Sequence, residues 1–276
     1  MDVCCFVSQV FEVYEPLRLI YRNSDNETKL QVLQASLSCV LTPKTVWKLY
    51  ERICRTLSTC EPPLEQVEEL SHKCKHCFSG TVVKVLPHRI PGGKLSSLLP
   101  VLTYRAVGVD IRLLHVVRDP RASINSRIKL GWFPEFNHTK FTKMVENYCN
   151  VIIDNIEFGQ NLDDSVKHRY KLVFYRDIAA QPLNTAKEIF TFAGMDLDEN
   201  TFEWIKATTN LSNKAEANKA NFKSPYSLVR NSKANIEKWR IESPPERTNA
   251  IENICKPLLE LIDELSMSEN VHWITE

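Results

Sequence analysis

The segment Leu113-Leu114-His115-Val116-Val117-Arg118-Asp119-Pro120-Arg121-Ala122-Ser123-Ile124-Asn125-Ser126-Arg127 restricts the fold more than any other part of the chain. An apolar run over Ile111–Val117 suits a strand buried on both faces, as in a parallel sheet. Pro120 then suits the first position of a helix. A buried strand feeding directly into a helix implies crossovers, a mostly parallel sheet and helices on its faces. In such sheets ligands bind beyond the carboxyl ends of the strands. Arg118 sits at that end, just before a helix N-terminus whose free N–H groups and dipole favour anions. Its planar guanidinium can grip a phosphate with two bonds. Ser126, two helical turns along, can add a hydroxyl to the same anion, and Asp119 is placed to cap the helix. The competing reading is an Arg118–Asp119 surface ion pair beside a capped helix.

The rest of the chain has the same alternating pattern. Strands are expected at Val10–Tyr14, Thr81–Leu86 and Tyr170–Tyr175. Helices are expected at about 30–40, 45–57, 95–102, 141–156, 182–193 and 244–265, the last with a break near Pro257. Pro91-Gly92-Gly93 reads as a turn, and 209–235 is polar and unassigned. At 276 residues this is one domain, with a cysteine-rich insertion at about 54–80.

The formal net charge of +1 removes any global field for nucleic acid or an anionic membrane, so an anion site must be local. No apolar run approaches the roughly 20 residues that span a bilayer. Nine cysteines and three sequons, Asn26-Glu27-Thr28, Asn137-His138-Thr139 and Asn210-Leu211-Ser212, lean toward a secretory lumen. Cys54, Cys60, Cys74 and Cys77 have the number of ligands a zinc site needs, but disulfides are the simpler reading in a lumenal chain, and no metal is expected.

The Arg118-Asp119-Pro120-Arg121 turn with Ser126 eight residues past Arg118 resembles the 3′-phosphate-binding motif of sulfotransferases. The resemblance implies that Arg118 and Ser126 hold the 3′-phosphate of the donor, 3′-phosphoadenosine 5′-phosphosulfate. It extends over about residues 10–265 and is similar to the Golgi N-acetylglucosamine/galactose 6-O-sulfotransferase branch. Val10–Leu17 looks like that family's strand ending in Glu-Pro, and Val82-Val83-Lys84 like its next core strand. The cysteine cluster looks like its cysteine-rich insertion. Arg169–Ala179 looks like its Arg-Tyr-Glu-Asp-Leu-Ala strand end, with Arg176 in place of the glutamate. Glu237-Lys238-Trp239-Arg240 and Ile251–Cys255 are similar to its terminal tryptophan-arginine helix and cysteine.

The resemblance implies an α/β fold with a mostly parallel sheet flanked by helices, of the P-loop-like sulfotransferase type. It also implies transfer of a sulfuryl group to a sugar hydroxyl, the 6-hydroxyl of N-acetylglucosamine or galactose in a glycan, in the Golgi lumen. The family's first strand and its Arg-Ser/Thr-Gly-Ser-Ser loop, which cradles the 5′-phosphosulfate, have no counterpart among the fourteen residues before Glu15. Two expectations follow: a truncated form of an active enzyme, or a catalytically inactive module that binds nucleotide or glycan. Glu15 is the candidate general base for the acceptor hydroxyl. Lys84 and Arg89 are candidates for binding the sulfate or an anionic glycan, and Arg230 for meeting the 3′-phosphate from its other side. His115 reads as a satisfied core histidine, and Arg121 and Arg127 as surface charges. A small kinase is disfavoured, because neither a P-loop nor a Mg²⁺-ligand pair is present.

Overall fold

A computed structural model describes residues 90–105, 110–209 and 231–271. The expected strands at 10–14 and 81–86, the helices at 30–40 and 45–57, the cysteine-rich insertion, and the sequons at Asn26 and Asn210 lie outside the described residues.

The chain divides into two compact units. In the first, Pro91–Gly93 and Leu95–Leu98 form 3₁₀ turns leading into α1 (Leu99–Leu102). Ile90, Leu95, Leu98, Val101, Leu102 and Ile111 are buried. A short helix, α4 (Asp164–Lys167), belongs to the same unit, capped by the Asp163 carboxylate, which accepts from Ser165 N–H at 2.9 Å. Arg169 donates to the Leu102 carbonyl at 3.4 Å and pairs with Asp110 at 3.5 Å.

The second unit carries the sheet and most of the helices. Strand β1 (Leu113–Val117) lies parallel to β2 (Tyr170–Phe174). Between them run α2 (Pro120–Lys129) and the 20-residue α3 (Phe141–Gln160). After β2 come α5 (Tyr175–Ala180), α6 (Pro182–Ala193) and α7 (Glu199–Thr209). The chain closes with α8 (Trp239–Glu242), α9 (Pro245–Ile254) and α10 (Lys256–Val271). In β1 only Val117 is fully buried and Val116 is half exposed, so among the described residues β1 is covered less than its apolar run implies.

Phe141, Val145, Cys149, Ile156 and Gly159 recur at helical spacing and bury one face of α3. That face packs on β2, α9 and α10. The core there joins Val117, Phe174, Ile156, Ile251, Leu258 and Ile262. The Cys149–Cys255 disulfide sits inside it, closing a separation of 106 residues. Gly159 has a packing reason: a β-carbon there would lie 2.1 Å from the Tyr170 ring. Gly194, at φ 68°, ends α6 as expected, and Met195 N–H returns to the Phe190 carbonyl.

Two elements differ from expectation. Strand β2 stops at Phe174, and Tyr175-Arg176-Asp177 turns at once into α5, placing Asp177 in a helical first turn. Helix α7 was not expected; its signal was Asp198, whose carboxylate accepts from Thr201 N–H at 2.9 Å. The C-terminal break falls at Cys255, with Pro257 in the first turn of α10.

Gly159→Ala should lower stability by about 1–3 kcal/mol in urea unfolding, because the Tyr170 ring leaves no room for a methyl group. Adding Tyr170→Ala should cost less in that background than alone. Serine at both Cys149 and Cys255 should lower stability by about 2–4 kcal/mol, and a reductant should do the same to the unaltered chain.

Candidate functional site

The carboxyl ends of β1 and β2 bring Arg118 and Tyr175 together. The Arg118 guanidinium carbon lies 4.5 Å from the Tyr175 ring centre, a cation–π contact. The Tyr175 hydroxyl accepts from Asn235 Nδ2 at 2.8 Å, fixing the ring from the far side. Arg118 Nε is buried without a hydrogen-bond partner. Among the described residues Arg118 makes no ion pair.

The expected competitor for Arg118 was Asp119, and Asp119 is engaged elsewhere. Its Oδ1 caps α2 by accepting from Arg121 N–H at 2.8 Å. Its Oδ2 accepts from Arg121 Nη2 at 2.7 Å. Arg121 Nη1 donates to Glu252 Oε1 at 2.6 Å, and the guanidinium lies 4.4 Å from the Trp239 ring. Burial opposes the charge on Arg121, but the hydrogen bonds and charges of Asp119 and Glu252 outweigh it and hold the pKa above its ordinary value. The expectation of a surface charge at Arg121 is therefore corrected: two carboxylates and an indole hold it part-buried. Arg127 is part-buried, and its guanidinium lies over the Tyr148 ring at 4.9 Å.

Ser126 lies in the second turn of α2, about 9 Å along the axis from Pro120 at 1.5 Å per residue. It is part-buried. Glu15, Lys84, Arg89 and Arg230 lie outside the described residues.

His115 points to a structural partner. Its Nδ1 lies 3.0 Å from the Tyr170 hydroxyl, and burial pushes its pKa down to about 4. Burial also pushes the Tyr170 hydroxyl up. The histidine is satisfied, as the strand pattern implied, but it is half-buried rather than deep in the core. Arg176, the residue in the glutamate position, is half-buried and reaches Asp177 at 3.6 Å and Asp263 at 3.9 Å.

Several functional neighbours were not singled out beforehand. Tyr175 had a usable signal, since it follows a second parallel strand. Asn125 had one too, as a polar residue beside Ile124 on the buried face of α2. Arg247 Nη2 donates to Asn125 Oδ1 at 2.6 Å, and Arg247 Nε to Ser243 Oγ at 3.0 Å. Asn125 and Arg247 lie 122 residues apart in sequence, and nothing local marks their pairing. Among the described residues no group of three or more His, Cys, Asp or Glu side chains is placed to hold a metal ion. No described helix is long and apolar enough to cross a membrane.

Residues 97–265 match the sulfotransferase domain family. The chain belongs to that family. Over 165 residues it is 29% identical to mouse carbohydrate sulfotransferase 3, covering 55% of this chain and 34% of the relative. It is 26% identical over 167 residues to zebrafish carbohydrate sulfotransferase 1, covering 55% and 38%. Human carbohydrate sulfotransferase 3 is 27% identical over 166 residues, covering 55% and 33%. The match thus spans about a third of the length of these relatives. No solved structure matches. The α/β sulfotransferase fold expected from the strand-turn-helix segment is the fold observed.

For this sulfotransferase chain, the half-buried His115 predicts an acid sensitivity. Its folded pKa of about 4 lies below the unfolded value of 6.5. Between these values the unfolded chain binds more protons. The contribution is therefore fully present above pH 6.5 and is lost as pH falls toward 4. Urea unfolding across this window should show a loss of about 2–3 kcal/mol that His115→Gln removes.

Proposed function

We propose that this chain carries the nucleotide-binding and acceptor-binding core of a carbohydrate sulfotransferase. In this reading it moves a sulfuryl group from 3′-phosphoadenosine 5′-phosphosulfate to a sugar hydroxyl, the 6-hydroxyl of N-acetylglucosamine or galactose in a glycan. The family membership and the names of the relatives support the reaction class. The observation that carries the site is Arg118: a guanidinium at the carboxyl end of a parallel strand, backed by Tyr175 and with no carboxylate partner among the described residues.

Arg118 and Ser126 are assigned to the donor's 3′-phosphate. A part-buried guanidinium whose Nε has no partner among the described residues is costly to keep, and a bidentate phosphate would satisfy it. Arg230 is assigned to the other side of that phosphate. Lys84 and Arg89 are assigned to the transferring sulfate or an anionic glycan. Glu15 is assigned as the general base that takes the proton of the acceptor hydroxyl as its oxygen attacks sulfur. The sulfur–oxygen bond to the nucleotide phosphate then breaks, and 3′,5′-bisphosphate leaves. Such a reaction depends on positioning and on neutralising charge on the moving group.

The reading treats residues 1–276 as one sulfotransferase domain with the insertion at 54–80. It places the chain in the Golgi lumen as a glycoprotein. The buried Cys149–Cys255 disulfide supports an oxidising compartment, and the exposed Asn137 of a sequon supports the same placement.

Titration calorimetry of the chain with 3′-phosphoadenosine 5′-phosphate tests the site. Arg118→Ala should weaken binding about 10- to 100-fold, the loss expected for a charge-assisted hydrogen-bonding partner. A folded Arg118→Ala chain with unchanged affinity would overturn the assignment. Binding without turnover on a glycan acceptor would favour the non-catalytic binding module instead.

A further inference from the structure

Arg118 and Asp119 are neighbours in sequence, at the mouth of the proposed nucleotide site. Left to itself, the Asp119 carboxylate would work against an anion there twice: by pairing with the Arg118 guanidinium and by repelling a phosphate. The pairing is not observed among the described residues, and the carboxylate's charge is met by another cation. Asp119 has both oxygens turned to Arg121: Oδ1 accepts from its backbone N–H and from Nε at 3.1 Å, and Oδ2 from Nη2 at 2.7 Å. The two groups are part-buried, at 20% and 31% side-chain exposure, so solvent screens their contact incompletely.

Arg121 is in turn held from two other directions. Glu252 of α9 takes its remaining end at 2.6 Å. Trp239 of α8, itself 3% exposed, lies against its guanidinium plane, with Arg240 on the same ring at 4.5 Å. A lysine has no such fork. It cannot span Asp119 and Glu252 with fixed bidentate geometry while stacking on an indole.

We propose that Arg121 is a positioning residue for the proposed 3′-phosphate site: it sequesters the Asp119 carboxylate and so keeps Arg118 free for an anion. Arg121 need not touch the nucleotide. Glu252 and Trp239 belong to the device, because they fix the guanidinium that does the sequestering. The inference rests on the nucleotide reading of Arg118.

A double-substitution cycle tests it. Asn caps a helix as well as Asp does, so Asp119→Asn keeps α2 capped while removing the charge. Arg121→Gln should weaken 3′-phosphoadenosine 5′-phosphate binding about fivefold. Asp119→Asn alone should leave affinity at least as high as in the parent chain. The double variant Asp119→Asn/Arg121→Gln should return to near the parent affinity, a rescue that general loosening of the fold would not give. Unchanged affinity in folded Arg121→Gln, or a double variant as weak as Arg121→Gln, overturns the inference. If Arg118→Ala leaves affinity unchanged as well, the nucleotide reading fails first.

A readout without nucleotide keeps the two separable. The side-chain N–H resonances of Arg118, followed by ¹⁵N NMR, should shift in Arg121→Gln as Asp119 turns to Arg118. They should return in the double variant. Resonances that stay in place in a folded Arg121→Gln chain overturn the sequestering role whatever the ligand.

Discussion

A buried arginine sets the register of α2 against the C-terminal helices, and the candidate site depends on that register. Arg247 of α9 is 7% exposed and Asn125 of α2 is 2% exposed. A charge so placed must find partners, since an unpaired one would cost several kcal/mol. Asn125 supplies one at 2.6 Å, Ser243 another at 3.0 Å, and Glu135 stands 3.6 Å away. Apolar surfaces tolerate sliding, whereas these bonds do not. Glu242 extends the constraint, pairing with Lys129 at 2.9 Å and Lys238 at 3.3 Å. Burial raises the Glu242 pKa, but the two lysines outweigh it and hold the carboxyl below its ordinary value. The Cys149–Cys255 disulfide ties α3 to the same helices covalently. With α2 fixed along its length, its N-terminus is fixed as well, and so is Arg118 just before it.

The arginines around α2 sort by what they face. Arg247 is spent on Asn125 and Ser243, and Arg121 on Asp119 and Glu252. Each of those guanidiniums has a structural partner that accounts for it. Among the described residues Arg118 has the face of Tyr175, which gives its buried Nε no hydrogen-bond partner. Binding sites keep such residual demand; structural sites remove it. The distinction comes from partners and not from exposure, since Arg118 and Arg121 are both part-buried.

Much of the fold was legible because its signals are local. Pro120 and Asp119 mark the start of α2, the helical spacing of Phe141, Met144, Val145, Tyr148, Ile152 and Ile156 marks α3, and Gly194 marks the end of α6. Arg118 was legible for the same reason: strand, guanidinium and helix start are contiguous. The end of β2 was misread because an apolar run does not say whether Tyr175 continues a strand or opens a helix. Arg121 was misread because its partner Glu252 lies 131 residues away. No window of sequence contains both, so a charged residue on an amphipathic helix defaulted to the surface.

That division between local and distant signals bears on how the site works. The residues expected to meet an anion, Arg118 and Ser126, come from one stretch of strand and helix. The residues that control the field around them, Glu252, Trp239 and Arg247, come from the last third of the chain. Contacts of such sequence separation form only after long loops have closed. In the folded chain α8 and α9 supply the indole and the carboxylate that hold Arg121 against Asp119. The C-terminal helices thus do more than cover the core: they decide which arginine Asp119 belongs to.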